Sequence, residues 1–172
     1  MQAKMNDESP SVESQSSQYL TFELAAGEYA IDILKVQEIK SWGPVTQLPR
    51  SPSYVLGVIN LRGAIVPVID LRTRFDLPSV DTTSKTAIII VQGESLEGPK
   101  TMGIVVDQVS EVYHFQTDQI QTSTTIGGNI DADFIYGLAK TDEKLVIVLE
   151  LSKILDCDGS AAEVDLGGGS HE

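Results

Sequence analysis

The strongest constraint on this 172-residue chain is that it states one pattern of short apolar runs twice. Gly57-Val58-Ile59, followed by Ile65-Val66-Pro67-Val68-Ile69-Asp70-Leu71, is matched by Gly137-Leu138-Ala139, followed by Leu145-Val146-Ile147-Val148-Leu149-Glu150-Leu151. The spacing is a constant 80 residues, as from Gly57 to Gly137. Upstream, Ala30-Ile31 through Val36-Gln37-Glu38-Ile39 is matched by Gly103-Ile104 through Val109-Ser110-Glu111-Val112 at a spacing of 73, as from Val36 to Val109. The difference falls in the loop region from Gln121 to Asp133, which holds Gly127 and Gly128. Closure entropy grows slowly with loop length, so a loop absorbs such an insertion easily. Two collinear matches that keep a glycine and an acid in place mark a duplication rather than a chance likeness of Val- and Ile-rich segments.

The repeated runs have the character of strands. Tyr19-Leu20-Thr21-Phe22-Glu23-Leu24 alternates, and Ala26-Gly27-Glu28 turns the chain into Tyr29-Ala30-Ile31-Asp32-Ile33. Gly63 separates Val58-Ile59-Asn60-Leu61 from Ile65 to Ile69, and further strands are expected at Ala87 to Val91, Gly103 to Val106 and Leu145 to Leu149. Their β-branched residues favour a pleated, half-buried surface. Pro67 lacks an N–H, which places its strand at an edge or a bulge. Short helical pieces are expected where the period shifts towards 3.6, at Leu71 to Phe75 and at Leu151 to Leu155. About five short strands per half are too many for one flat hairpin sheet, and small closed barrels remove the exposed edges. The expected architecture is mostly β, with two five-stranded barrel-like subdomains packed through an apolar seam. Their boundaries are roughly 18–82 and 83–156, with exchange of strands between them allowed. A groove at the seam would present Val36 and Val109 from matching positions.

Charge and composition exclude several functions. Twelve basic against 25 acidic side chains give a net charge of −13, the wrong sign for a phosphate-binding surface, so no nucleic acid is expected as a partner. The longest strongly apolar run, Thr86 to Val91, is far shorter than the ~20 residues of a membrane helix, so no direct membrane insertion is expected. Residues 1–17 are rich in Ser, Gln and acids, without the apolar core of a secretory signal. Residues 157–172 form an acidic tail ending Gly167-Gly168-Gly169-Ser170-His171-Glu172. Both ends read as disordered chain flanking a folded body at 18–156. The single Cys157 excludes an intrachain disulfide and a cysteine-cluster metal site. These features fit a soluble protein of the cytoplasm.

No catalytic constellation, cofactor site or metal site emerges. His171 lies in the tail, and His114 has no second ligand at metal spacing. Cys157 stands between Asp156 and Asp158, whose charge opposes thiolate formation, and it lacks a base. Gly57 to Gly63 lacks the lysine and serine of a phosphate loop. Asp131-Ala132-Asp133 and Asp156-Cys157-Asp158 lack the oxygens and glycine spacing of a calcium loop. What stands out instead is Asn60-Leu61-Arg62-Gly63 between two apolar strands. Arg62 offers a planar donor fork in an acidic chain, and Gly63 permits a tight turn. Arg62 can pair across the seam, with Glu38 or Asp107 as acceptor, or can recognise a partner, since arginine is enriched at interface hot spots. The two roles are compatible.

Asn60-Leu61-Arg62-Gly63 with Ile65-Val66-Pro67-Val68-Ile69-Asp70-Leu71 resembles the CheW family of chemotaxis coupling proteins. Tyr29 to Ile39, Gly57-Val58-Ile59 and Gly103-Ile104-Val105-Val106-Asp107 extend the resemblance, which runs in one order from about Tyr19 to Leu155. It implies two SH3-like β-subdomains. It also implies a non-enzymatic adaptor that links chemoreceptor cytoplasmic tips to the regulatory domain of the chemotaxis histidine kinase, at the inner face of the membrane. By resemblance, the receptor-binding positions are Leu20, Ile33, Val36, Glu38, Ile39, Asn60, Leu61, Arg62 and Val109. They would receive an amphipathic receptor helix in an apolar groove. The kinase-binding region implied on the second half is Ile120-Gln121 to Ile126, where Gln121 and Ile126 replace the basic and aromatic residues common in relatives. Without ATP-binding glycine boxes or a receiver-type acidic cluster, a stand-alone coupler is expected. A β-barrel small-ligand carrier or sensor is the alternative, and it would require a large enclosed pocket. A hydrolase lacks its nucleophile and base.

Overall fold

The structure, a computed structural model, describes residues 16–79, 81–122, 132–141 and 143–156. The strands in chain order are β1 (Ser16–Leu24), β2 (Gly27–Asp32), β3 (Val36–Ser41), β4 (Val55–Leu61), β5 (Ala64–Asp70), β6 (Ala87–Ser95), β7 (Gly98–Val106), β8 (Gln108–Gln116), β9 (Ile120–Gln121), β10 (Ile135–Lys140) and β11 (Leu145–Leu149). A single helical turn, α1 (Leu71–Arg74), follows β5, and residues 151–156 are helical after β11. The expected strands and both helical pieces are therefore present. β1 begins at Ser16, so the fold includes two residues assigned above to the N-terminal tail: Ser16 pairs with Gln116 and Ser17 with Phe115. His114 lies within β8. The remaining tail residues, 1–15 and 157–172, lie outside the described residues, as does Ile126.

The strands form two curled sheets, β3-β6-β7-β5-β4 (sheet I) and β8-β1-β2-β11-β10-β9 (sheet II). Matching β1 to β6, β2 to β7, β3 to β8, β4 to β10 and β5 to β11 turns the order of sheet I into that of sheet II, which carries the two-residue β9 as a sixth strand at its edge. The equivalence extends to register. Val68 faces Gly103 across the parallel β5–β7 pair, and Val148 faces Ala30 across the parallel β11–β2 pair, which are the 80- and 73-residue spacings met at one contact. A bulge precedes Gly57 where β4 pairs with β5, and another precedes Gly137 where β10 pairs with β11. The duplication is real, but the sheets do not divide at residues 82 and 83. Each half sends its first hairpin into the sheet built from the other half.

Packing explains why the exchange holds. The largest cluster of buried side chains draws on both sheets, with Leu20, Phe22, Leu24 and Ile31 from sheet II against Ile69, Ile89, Val91 and Ile104 from sheet I. This seam is the main core, and burial at ~25 cal/mol per Å² of apolar surface is its driving force. Each barrel also has its own interior. Val68, Ile88, Ile90 and Val105 fill barrel I, while Ala30, Phe115, Val146 and Val148 fill barrel II. Pro67 stands just outside the β5–β7 pairing, which starts at Val68, so its missing N–H breaks no bond there. Among the described residues no helix is long and apolar enough to cross a membrane.

Candidate functional site

Arg62 and Gly63 form the two-residue tip of the β4–β5 hairpin, between the paired Leu61 and Ala64. Both have positive φ, 51° and 89°, the primed-turn geometry that matches strand twist. Asn60 Oδ1 accepts from the Gly63 N–H at 2.9 Å and fixes the tip. The hairpin thereby carries Arg62 to β3, where its Nη1 meets Glu38 Oε2 at 2.8 Å. The arginine side chain is 74% exposed and the glutamate 26%. Glu38 Oε2 is itself closed to water and out of hydrogen-bond alignment, so charge holds the contact.

Around this pair the structure gathers most of the receptor-side residues named from sequence. Ile39, on β3, is nearly half exposed, as is Val112 at the matching position of β8. Asn60 is exposed and Leu61 is half-buried against the barrel I interior. Ile33, Val36 and Val109 are half-buried and pack on the seam cluster, with Val36 and Val109 at equivalent registers. Leu20 is part of that cluster and buried, so it lies beneath the surface. On the kinase side Ile120 is buried in barrel II, whereas Gln121 beside it is exposed.

Asp107, named above as a second acceptor for Arg62, is committed elsewhere. Its Oδ1 takes Arg72 Nη1 at 2.8 Å, and its Oδ2 accepts from the Ala25 N–H at 2.7 Å. Arg72 also contacts Asp70 Oδ1 through Nε at 3.1 Å, and its side chain is 7% exposed. This buried group ties α1, the β7–β8 junction and the β1–β2 turn together. The sequence reading missed it. The available signal was an arginine two residues after a helix-capping aspartate, where the second half has Ser152.

The barrel interiors are packed with apolar side chains, and the clefts beside Glu150 and beside Asp107 both open to the surface, which does not favour a small-ligand carrier. Fold and site together define a duplicated β-barrel scaffold with a charged, partly apolar face at the seam. Over residues 18–158 the chain matches the CheW-like domain, and it belongs to the CheW family. Chemotaxis protein CheW of Klebsiella aerogenes is 36% identical over 149 residues, 87% of each chain. That of Bacillus subtilis is 33% identical over 84% of this chain and 90% of its own. The crystal structure of the scaffolding protein TtCheW from Thermoanaerobacter tengcongensis superposes with a TM-score of 0.74 at 35% identity, covering 83% of this chain and 90% of that one. The expected mostly β, two-subdomain SH3-like architecture is the architecture of that relative.

Proposed function

We propose that this chain is a non-enzymatic chemotaxis coupling adaptor that joins chemoreceptor tips to the chemotaxis histidine kinase at the cytoplasmic face of the membrane. The observation that carries the receptor side is the Arg62–Glu38 pair on a hairpin tip, beside exposed Ile39 and half-buried Val36. An amphipathic helix laid there would find apolar contact from Ile33, Val36, Ile39, Leu61 and Val109, and oriented charge from Arg62 and Asn60. Leu20 supports this surface from below. Exposed apolar residues rimmed by charge suit a protein interface better than a catalytic cleft. The kinase regulatory domain would meet barrel II near Gln121, with Ile120 holding β9 in place.

Titration of the full chain with a receptor cytoplasmic-tip fragment, and separately with the kinase regulatory domain, tests this reading. Saturable binding of both is expected. Failure of both to bind contradicts it.

A further inference from the structure

The two halves carry equivalent chain crossovers, and of the two only the first holds an arginine. In the first, Arg72 lies between Asp70 and Asp107, with the Ala25 N–H donating to Asp107. The repeat maps Asp70 to Glu150, Arg72 to Ser152, Asp107 to Leu34 and Ala25 to Glu94. At the second crossover the arginine is therefore replaced by a short hydroxyl. Leu34 turns out to solvent, 86% exposed. What remains is an open cleft of about 310 Å³, lined by Glu94, Glu150 and Ser152. That volume is at the lower end of ligand-binding sites.

The rest of the lining is more polar than its counterpart. Tyr19, Asp32 and Tyr136 border the cleft, where barrel I has Ile88, Val105 and Leu56 packed in or against its interior. Asp32 uses Oδ1 to cap the turn at Leu34, at 2.9 Å. Glu150 Oε2 accepts from the short Ser152 hydroxyl, at 3.0 Å. Lys35 is the single base among three acids in the lining, so the cleft favours a cation. None of the residues assigned to the receptor or kinase side lines it.

We propose that this cleft binds the arginine side chain of a partner protein, whose guanidinium takes the place that Arg72 occupies in the other half. Glu150 plays the part of Asp70, and Glu94 supplies the second carboxylate from the hairpin instead of from the crossover. A planar guanidinium suits this pair because it donates to two carboxylates at once, and the phenols of Tyr19 and Tyr136 add faces over which a cation is favoured.

The probe is N-acetyl-arginine amide, followed by NMR at the Gly93 and Ser152 amides of the full chain. Saturable shifts are expected, absent with the neutral isostere N-acetyl-citrulline amide and weakened about tenfold by Glu150→Gln, as for loss of one charge-assisted hydrogen bond. Free arginine should bind more weakly, because its own carboxylate meets an acidic cleft. Ser152→Arg should restore the internal arginine, hold or raise the melting temperature, and abolish the response. Four results would each overturn the proposal: no saturable shift, an equal response to citrulline, tighter binding of free arginine, or a folded Ser152→Arg variant that still binds the probe.

Discussion

Arg62 Nη1 lies 2.8 Å from Glu38 Oε2 and joins the β4–β5 turn to β3. Because the arginine is largely exposed, the pair contributes little to folding. Arg62→Ala should cost about 0–1 kcal/mol of stability. Loss of a hot-spot arginine commonly costs ~2 kcal/mol of binding or more, roughly thirtyfold in affinity for a receptor tip. Kinase binding should be nearly unchanged. A thermal melt and two titrations on one variant check this, and a normal melt with unchanged receptor affinity removes Arg62 from the site.

Arg72 behaves in the opposite way. Its side chain is buried between Asp70 and Asp107, so Arg72→Ala leaves two carboxylates uncompensated. The expected loss is about 3–5 kcal/mol, read as a shift in urea midpoint. A loss below ~1 kcal/mol, the range of exposed pairs, would show that water already screens the group.

Gly137 has the backbone of β9 against it, since a Cβ there would lie 2.6 Å from the Gln121 carbonyl oxygen. The matching Gly57 has φ of 152°, and its Cβ would collide with the Thr46 carbonyl. Gly137→Ala should destabilise by about 1–3 kcal/mol through overpacking. Gly57→Ala should cost at least as much, because backbone strain adds to the collision. Paired urea denaturation curves give the order, and a neutral Gly57→Ala would contradict the close approach.

The Tyr29 phenol is pushed above its ordinary value by burial in the seam. The neutral form is thus favoured in the fold. This contribution is complete below the unfolded value near 10 and is lost as pH rises through the higher folded value. Stability should fall above about pH 10, and Tyr29→Phe should flatten that fall. Equal slopes for both proteins, in denaturation series across the alkaline range, would exclude Tyr29 as a source.

Duplication, strand positions and both helical turns were legible because they rest on local pattern: Gly57 and Gly137 at matching bulges, and Val/Ile runs with period two. The tie between Arg62 and Glu38 was legible only as one of two, with Asp107 the other acceptor offered, and the structure gives Asp107 to Arg72 instead. The exchange of first hairpins was allowed by the sequence but not specified, since β5 and β11 are equivalent strands and β2 could pair with either; the choice rests on inter-sheet packing, with Phe22 and Ile31 in one core cluster with Ile69 and Ile104. Arg72 was hidden for a related reason. Burial of a charge depends on Asp107, which is 35 residues away in the chain. Ile120 read as a surface contact because one apolar residue before a polar one does not reveal which way a two-residue strand faces.

The proposed adaptor role requires that one chain hold receptor and kinase together. Light scattering on a size-exclusion column, with the full chain, a receptor-tip fragment and the kinase regulatory domain mixed in equal amounts, measures it directly. The predicted result is a single species whose mass contains all three, and which loses only the receptor fragment when Arg62→Ala replaces the natural chain. Two separate binary complexes, with receptor and kinase competing for the chain, would contradict the account.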